Sequence, residues 1–241
     1  MAVISESKSL LDSFNETRTC TLELVKTLEK DDFMVQTADY TSPPKWHLGH
    51  VSWIYEVVLS KLNKDYEFYS KEFSEYLNSY YHQFGEPHEK SKRGIMSRPT
   101  VEQVFEYFEI VNQRVTKFLE TDSVSNKTNQ ILTIGMHHEC QHQELLVYDL
   151  QHLLADEYRP VKKNIPPTPS KVELKSVTID GGLYTIGYHG DGFSYDIERP
   201  EHKVFLNDYR IDAFPVTNGQ YLSFIEDGRS EEHTSELQSQ R

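Results

Sequence analysis

The stretch that most constrains the fold is residues 126–155, which read as one helix with Ile134, His138, His142, Leu145, Asp149 and Leu153 stepping down a single side. Residues four apart on a helix share a face, with Cβ atoms about 5–6 Å apart. His138 and His142 are such a pair, and their face is otherwise largely apolar, so it is expected to point into a helical core. Two imidazoles without partners in such a core would be costly. Either they are core histidines bonded to other side chains, or they converge on a metal. Glu139 between them completes H-E-x-x-H, a zinc metallopeptidase signature.

A helix of this kind needs others to cover it. Residues 5–31 have Leu10, Leu11, Phe14, Leu22, Leu24, Val25 and Leu28 at roughly helical spacing. A second helix is predicted over 41–62, with Ser42 as N-cap and Pro43 and Pro44 in its first positions. Residues 63–98 are rich in Tyr, Phe and charge without a clean period, and read as a long, partly helical connection. A third helix covers 98–120, opened by a Thr100/Gln103 capping box. Four helices with one long crossover predict a four-helix bundle over 5–157.

The pattern then changes. Residues 158–171, with the Pro- and Lys-rich RPVKKNIPPTPSK inside them, read as a linker. From 172 the chain has β-branched residues and a Gly181-Gly182 turn, as strands and hairpins do, then a strand and a helix capped by Thr217. This predicts the start of an α+β domain over 172–228, a length at which small domains are marginal. Residues 229–241 begin RSEEHTSELQS, which resembles a translated sequencing-adapter read and is expected to lie outside the native protein.

Composition excludes several classes. A formal net charge of −13 opposes binding to nucleic acid or anionic membranes. Two cysteines, Cys20 and Cys140, give no disulfide framework. No apolar run has the length of a transmembrane helix, and MAVISESKSLL has no secretory character, so a cytoplasmic protein is expected.

A third ligand would come from WHLGH in the second helix, where His47 and His50 both lie in line with apolar residues and spacing does not choose between them. The extended metzincin motif requires Gly at 145 and His at 148; Leu145 and Tyr148 stand there. A gluzincin needs a Glu from a following helix, and Glu157 is close in sequence and near the end of this same one. Three neutral histidines with open positions suit Fe(II) or Zn(II) by ligand type.

Four segments in order, SPPKWHLGHVSWIYE, YLNSYYHQFGEPHEKSKRGIMSRPT, HHECQHQELL and SYDIERPEHKVFLNDYRIDAFPVTNGQYLSFIEDG, resemble ergothioneine-biosynthesis sulfoxide synthases of the EgtB type. Ovothiol and selenoneine synthases are close relatives of these. The resemblance implies a DinB-like four-helix bundle followed by a formylglycine-generating-enzyme-like, C-type-lectin-like (sulfatase-modifying-factor) domain. It implies a non-haem Fe(II) held by His50, His138 and His142, with Gln141 on the imidazole substrate. Lys90 and Arg93 fall where the family has an R-x-x-R pair for the thiol substrate's carboxylates; lysine keeps the charge and loses the bidentate fork. The implied reaction joins hercynine to cysteine or γ-glutamylcysteine with oxygen, forming a C–S bond and a sulfoxide. The family's acid/base tyrosine is expected beyond the segment present here. A DinB-type metal-dependent thiol transferase or hydrolase is the alternative.

Overall fold

A computed structural model of the chain describes residues 9–79, 82, 88–121, 125–155 and 175–227. The chain divides into two compact units, Met1–Lys162 with Asp191–Phe193, and Lys163–Gly190 with Ser194–Arg241. The expected linker, 158–171, and the tail beyond 228 lie outside the described residues.

The first unit is a helical bundle of α1 (Leu10–Val25), α2 (Pro44–Leu62), α4 (Val101–Thr121) and α5 (Asn126–Leu153), with the short α3 (Lys71–Leu77) against α2. The predicted first helix is shorter than 5–31: it stops at Val25, and Lys30–Met34 form a separate 3-10 turn. Ser9 caps α1 by accepting from the Asp12 N–H. Ser42 does not cap α2. Pro43 holds that position and Pro44 starts the helix, while the Ser42 hydroxyl accepts from Arg93 Nη1 at 2.9 Å. The Thr100/Gln103 box forms as expected, each backbone N–H reaching the other's side-chain oxygen.

α2 is the central element, buried from Pro44 to Leu59. One core cluster gathers Phe14, Trp53, Tyr55, Tyr107, Val111, Leu132 and Met136; a second gathers Val25, Phe33, Leu48, Val51, Phe108 and Leu146. Gly135 lets α5 approach α2 one turn before the histidine pair: a Cβ there would come within 3.3 Å of the Tyr55 ring.

The face of α5 that turns inward is not the expected one. Its buried positions are Leu132, Met136, Glu139, Gln143, Leu146 and Leu150, together with Thr128, Gly135 and Asp149. Ile134 and Leu145, expected inside, are 57% and 45% exposed. The inward stripe carries Glu139 and Gln143, both of which hydrogen-bond across the helix interface. Gln143 Nε2 donates to the Thr17 carbonyl at 2.9 Å, and Glu139 accepts from Thr21 and Arg18. Two buried polar residues therefore occupy positions that a purely apolar reading assigns to the surface.

In the second unit, β1 (Ser176–Ile179) pairs antiparallel with β4 (Tyr209–Asp212), and β2 (Gly182–Ile186) with β3 (His202–Leu206). Gly181-Gly182 is thus not the turn of a hairpin: the strands on either side of it pair elsewhere, nested one pair within the other. The region expected to give one strand gives both β3 and β4. Helix α6 (Asn218–Glu226) is capped by Thr217 as predicted, through a reciprocal box with Gln220. No described residue of this unit is buried, and Leu183, Phe205 and Ile211 are exposed. Among the described residues no helix is long and apolar enough to cross a membrane.

Candidate metal centre

His50 comes from the middle of α2, and His138 and His142 from adjacent turns of α5. One ring nitrogen from each lies within 4.8 Å of the others. The ring centroids stand 4.6 Å apart for His50–His142 and His138–His142, and 5.2 Å for His50–His138. His50 is fully buried, whereas His138 and His142 sit where the inward stripe of α5 meets its exposed face. Gln141, Leu145 and Tyr148 are exposed beside them, so the cluster has one side in protein and one towards the helix surface.

Hydrogen bonding orients two of the three rings. His50 Nδ1 is 2.6 Å from the carbonyl of Leu77, which only accepts, so Nδ1 carries the proton. His50 Nε2 is then an unprotonated lone pair, buried and without a hydrogen-bond partner. His138 Nδ1 is likewise buried without one. Buried polar atoms are ordinarily paired, and those that are not call for an explanation such as an ion. The donor set fits one: neutral imidazoles are common ligands for divalent transition metals. Burial, together with the other histidines and Arg93, holds His50 and His142 well below the ordinary histidine range. Burial alone lowers His138 to about 4. All three rings are therefore neutral at neutral pH, as ligation requires.

His47 is not in the cluster. Its Nε2 lies 2.9 Å from Asp149 Oδ2 and its Nδ1 lies 3.1 Å from His142 Nδ1. Trp46 stacks flat on His50, with centroids 4.5 Å apart and planes 12° from parallel. The guanidinium of Arg93 lies 3.4 Å over the other partner of that stack, the Trp46 ring. Arg93, expected as a carboxylate-binding residue, is thus buried next to the cluster. The Lys90 side chain is exposed at the start of the same 3-10 turn (Lys90–Ile95), and its charge helps to lower His47. Sequence reasoning missed Trp46, Asp149 and the Leu77 carbonyl. Asp149 had a signal, since it follows His142 by two helical turns on the same side.

Glu139 cannot act as a peptidase base in this arrangement. It is fully buried, 3.1 Å from Arg18 Nη1 and 2.5 Å from the Thr21 hydroxyl. Arg18 also donates to Asn112 Oδ1 and Ser52 Oγ, so the motif glutamate ties α1 to α5. Cys140 is half-buried, and burial pushes its thiol up to about 11, so it is no ready thiolate ligand. His152 is bonded to Thr37 and Tyr40 on the surface.

Residues 13–146 match the model of the DinB superfamily, over more than half of the chain. The chain belongs to the DinB superfamily. Residues 161–241 match the sulfatase-modifying factor enzyme 1-like domain, so the helical DinB domain is followed by a segment of a second, mixed α/β type. Hercynine oxygenase of Mycolicibacterium smegmatis is 36% identical over 96 residues, covering 38% of this chain and 22% of that protein. Hercynine oxygenase of Mycolicibacterium thermoresistibile is 32% identical over 93 residues, covering 38% and 21%. Serine/threonine-protein kinase Pkn1 of Chlamydia trachomatis is 31% identical over 135 residues, covering 53% and 21%. The chain spans about a fifth of the length of these curated relatives. The DinB domain and the segment after it make this chain a relative of the EgtB-like hercynine oxygenases.

Proposed function

We propose that this DinB domain is the metal-binding part of a cytoplasmic, iron(II)- and oxygen-dependent sulfoxide synthase that joins hercynine to cysteine or γ-glutamylcysteine. The observation that carries the reading is the three-imidazole cluster of His50, His138 and His142, with buried, unpartnered ring nitrogens on two of its members. The hercynine oxygenases similar to this chain, and the sulfatase-modifying-factor segment after the bundle, support it over other DinB chemistries.

The three histidines would hold the ion and leave positions for other groups, and iron(II) there would supply oxygen activation and thiolate binding. The residues do the rest. His50, His138 and His142 stay neutral and hold the ion at the edge of α5. Gln141, exposed next to His142, contacts the imidazole of hercynine from the open side. Lys90 and Arg93 supply positive charge for the thiol substrate's carboxylate, Lys90 from the surface and Arg93 from over Trp46. Holding both organic substrates beside one ion supplies proximity and orientation. The balance is one imidazole C–H and one S–H lost, with O2 divided between the sulfoxide oxygen and water.

The test is an aerobic incubation of the iron(II)-loaded enzyme carrying its complete second domain with hercynine and each thiol, following oxygen uptake and product mass. The expected product has the combined mass of the two substrates less two hydrogens plus one oxygen, with one O2 consumed per product. Iron-loaded protein that consumes thiol at the same rate without oxygen overturns the proposal in favour of a DinB-type thiol transferase or hydrolase.

A further inference from the structure

His47 and Asp149 are buried polar residues that the proposed chemistry does not use. His47 is 3% exposed and Asp149 is 7% exposed. Asp149 Oδ2 accepts the Ser42 backbone N–H at 2.9 Å and faces His47 Nε2 at the same distance. A carboxylate only accepts, so His47 carries its proton on Nε2. The other ring nitrogen, His47 Nδ1, faces His142 Nδ1 at 3.1 Å. Two N–H groups cannot share that line, and neither can two lone pairs. With His47 neutral and its proton on Nε2, Nδ1 accepts, and the donor is His142 Nδ1–H. A neutral His142 protonated on Nδ1 has its lone pair on Nε2.

The His50 ring is set in the same way by a backbone group, the Leu77 carbonyl. The two ligands therefore have matching tautomers reached by different means, one through main chain and one through a two-residue side-chain relay. Metal-ligating histidines ordinarily donate their second N–H to such an outer partner, which fixes the ring and raises its basicity.

We propose that Asp149 and His47 form a positioning relay that holds His142 in its Nδ1–H tautomer and keeps its Nε2 available to a divalent metal. This rests on the metal-centre reading above. His47 and Asp149 are positioning residues and not ligands. The relay also joins the N-terminal end of α2 to the C-terminal half of α5, because Asp149 holds the Ser42 N–H just before α2 begins.

The test is anaerobic titration of the protein with Fe(II) against a chromophoric chelator, with the visible d–d spectrum of the Co(II)-loaded protein as a second readout. His47→Leu removes the acceptor and is expected to weaken Fe(II) binding about 10–100-fold and to change the Co(II) bands. His47→Gln, whose amide oxygen can accept from His142, is expected to recover part of the affinity and the wild-type bands. Asp149→Asn, isosteric and gentler on folding, is expected to shift both readouts in the direction of His47→Leu. Wild-type affinity and an unchanged Co(II) spectrum in His47→Leu overturn the relay; if that variant does not fold, the same result in Asp149→Asn does so. A wild-type protein that binds neither ion overturns the metal-centre reading and the relay with it, which distinguishes the two failures.

Discussion

Glu139 shows how one motif can serve two purposes. In a peptidase the glutamate of H-E-x-x-H must reach water on the metal. Here it is buried in the contact with α1 and balances the buried Arg18 guanidinium. Arg18 also lies 3.3 Å over the Phe108 ring, so the cation is fixed on several sides. Replacing Glu139 by Ala leaves that cation without its counter-charge, and is expected to lower unfolding stability by about 3–5 kcal/mol. An apolar pair, Arg18→Met with Glu139→Leu, is expected to regain most of the loss. Urea unfolding of the single and double variants checks both, and an unchanged midpoint for Glu139→Ala would contradict the assignment. The i,i+4 pair His138/His142 is legible in the sequence because helical spacing alone brings it together. The choice between His47 and His50 is not. Both lie on buried α2, and they are separated by groups distant in sequence: Leu77 orients His50, while Asp149 takes up His47.

At the level of elements, the bundle was legible from its apolar periods and the Thr100/Gln103 cap, but the orientation of α5 was not. Its buried positions do follow a regular helical repeat, from Leu132 through Met136, Glu139, Gln143 and Leu146 to Leu150. Glu139 and Gln143 break that repeat for any reading based on hydrophobicity, and their partners on α1 can be seen only after folding. The same limit hid the strand pairing of the second unit, where a Gly-Gly pair suggests a local hairpin and the strands pair at long range instead. The contact of α3 with α2 matters to the site because Leu77 ends α3 and holds His50. Gly49 permits it: a Cβ there would lie 2.6 Å from Leu77 Cδ2, in a side chain that is only 1% exposed. Gly49→Ala is expected to cost about 1–3 kcal/mol through overpacking and to weaken metal binding by displacing the Leu77 carbonyl. Chemical unfolding and a metal titration on the same sample check it; full stability with wild-type affinity would contradict it.

Taken as a whole, the molecule puts its stable core and its metal candidate in the same unit. Two ligands come from α5 and one from α2, so a bound ion cross-links two bundle helices that already pack together. A ligand that binds only the folded state stabilises it by mass action, about 2.7 kcal/mol at a free concentration 100 times its Kd. The second unit, with its apolar residues exposed, adds no described ligand to the cluster. The central claim is therefore one ion per chain, held by three named residues of the DinB domain. The most direct measurement is the metal content of protein loaded anaerobically with Fe(II) and desalted, for wild type and for His50→Ala, His138→Ala and His142→Ala. The account predicts one iron per wild-type chain and loss of stoichiometric iron in each variant, with the helical circular dichroism retained. Full iron occupancy in any of the three variants, or none in the wild type, would contradict it.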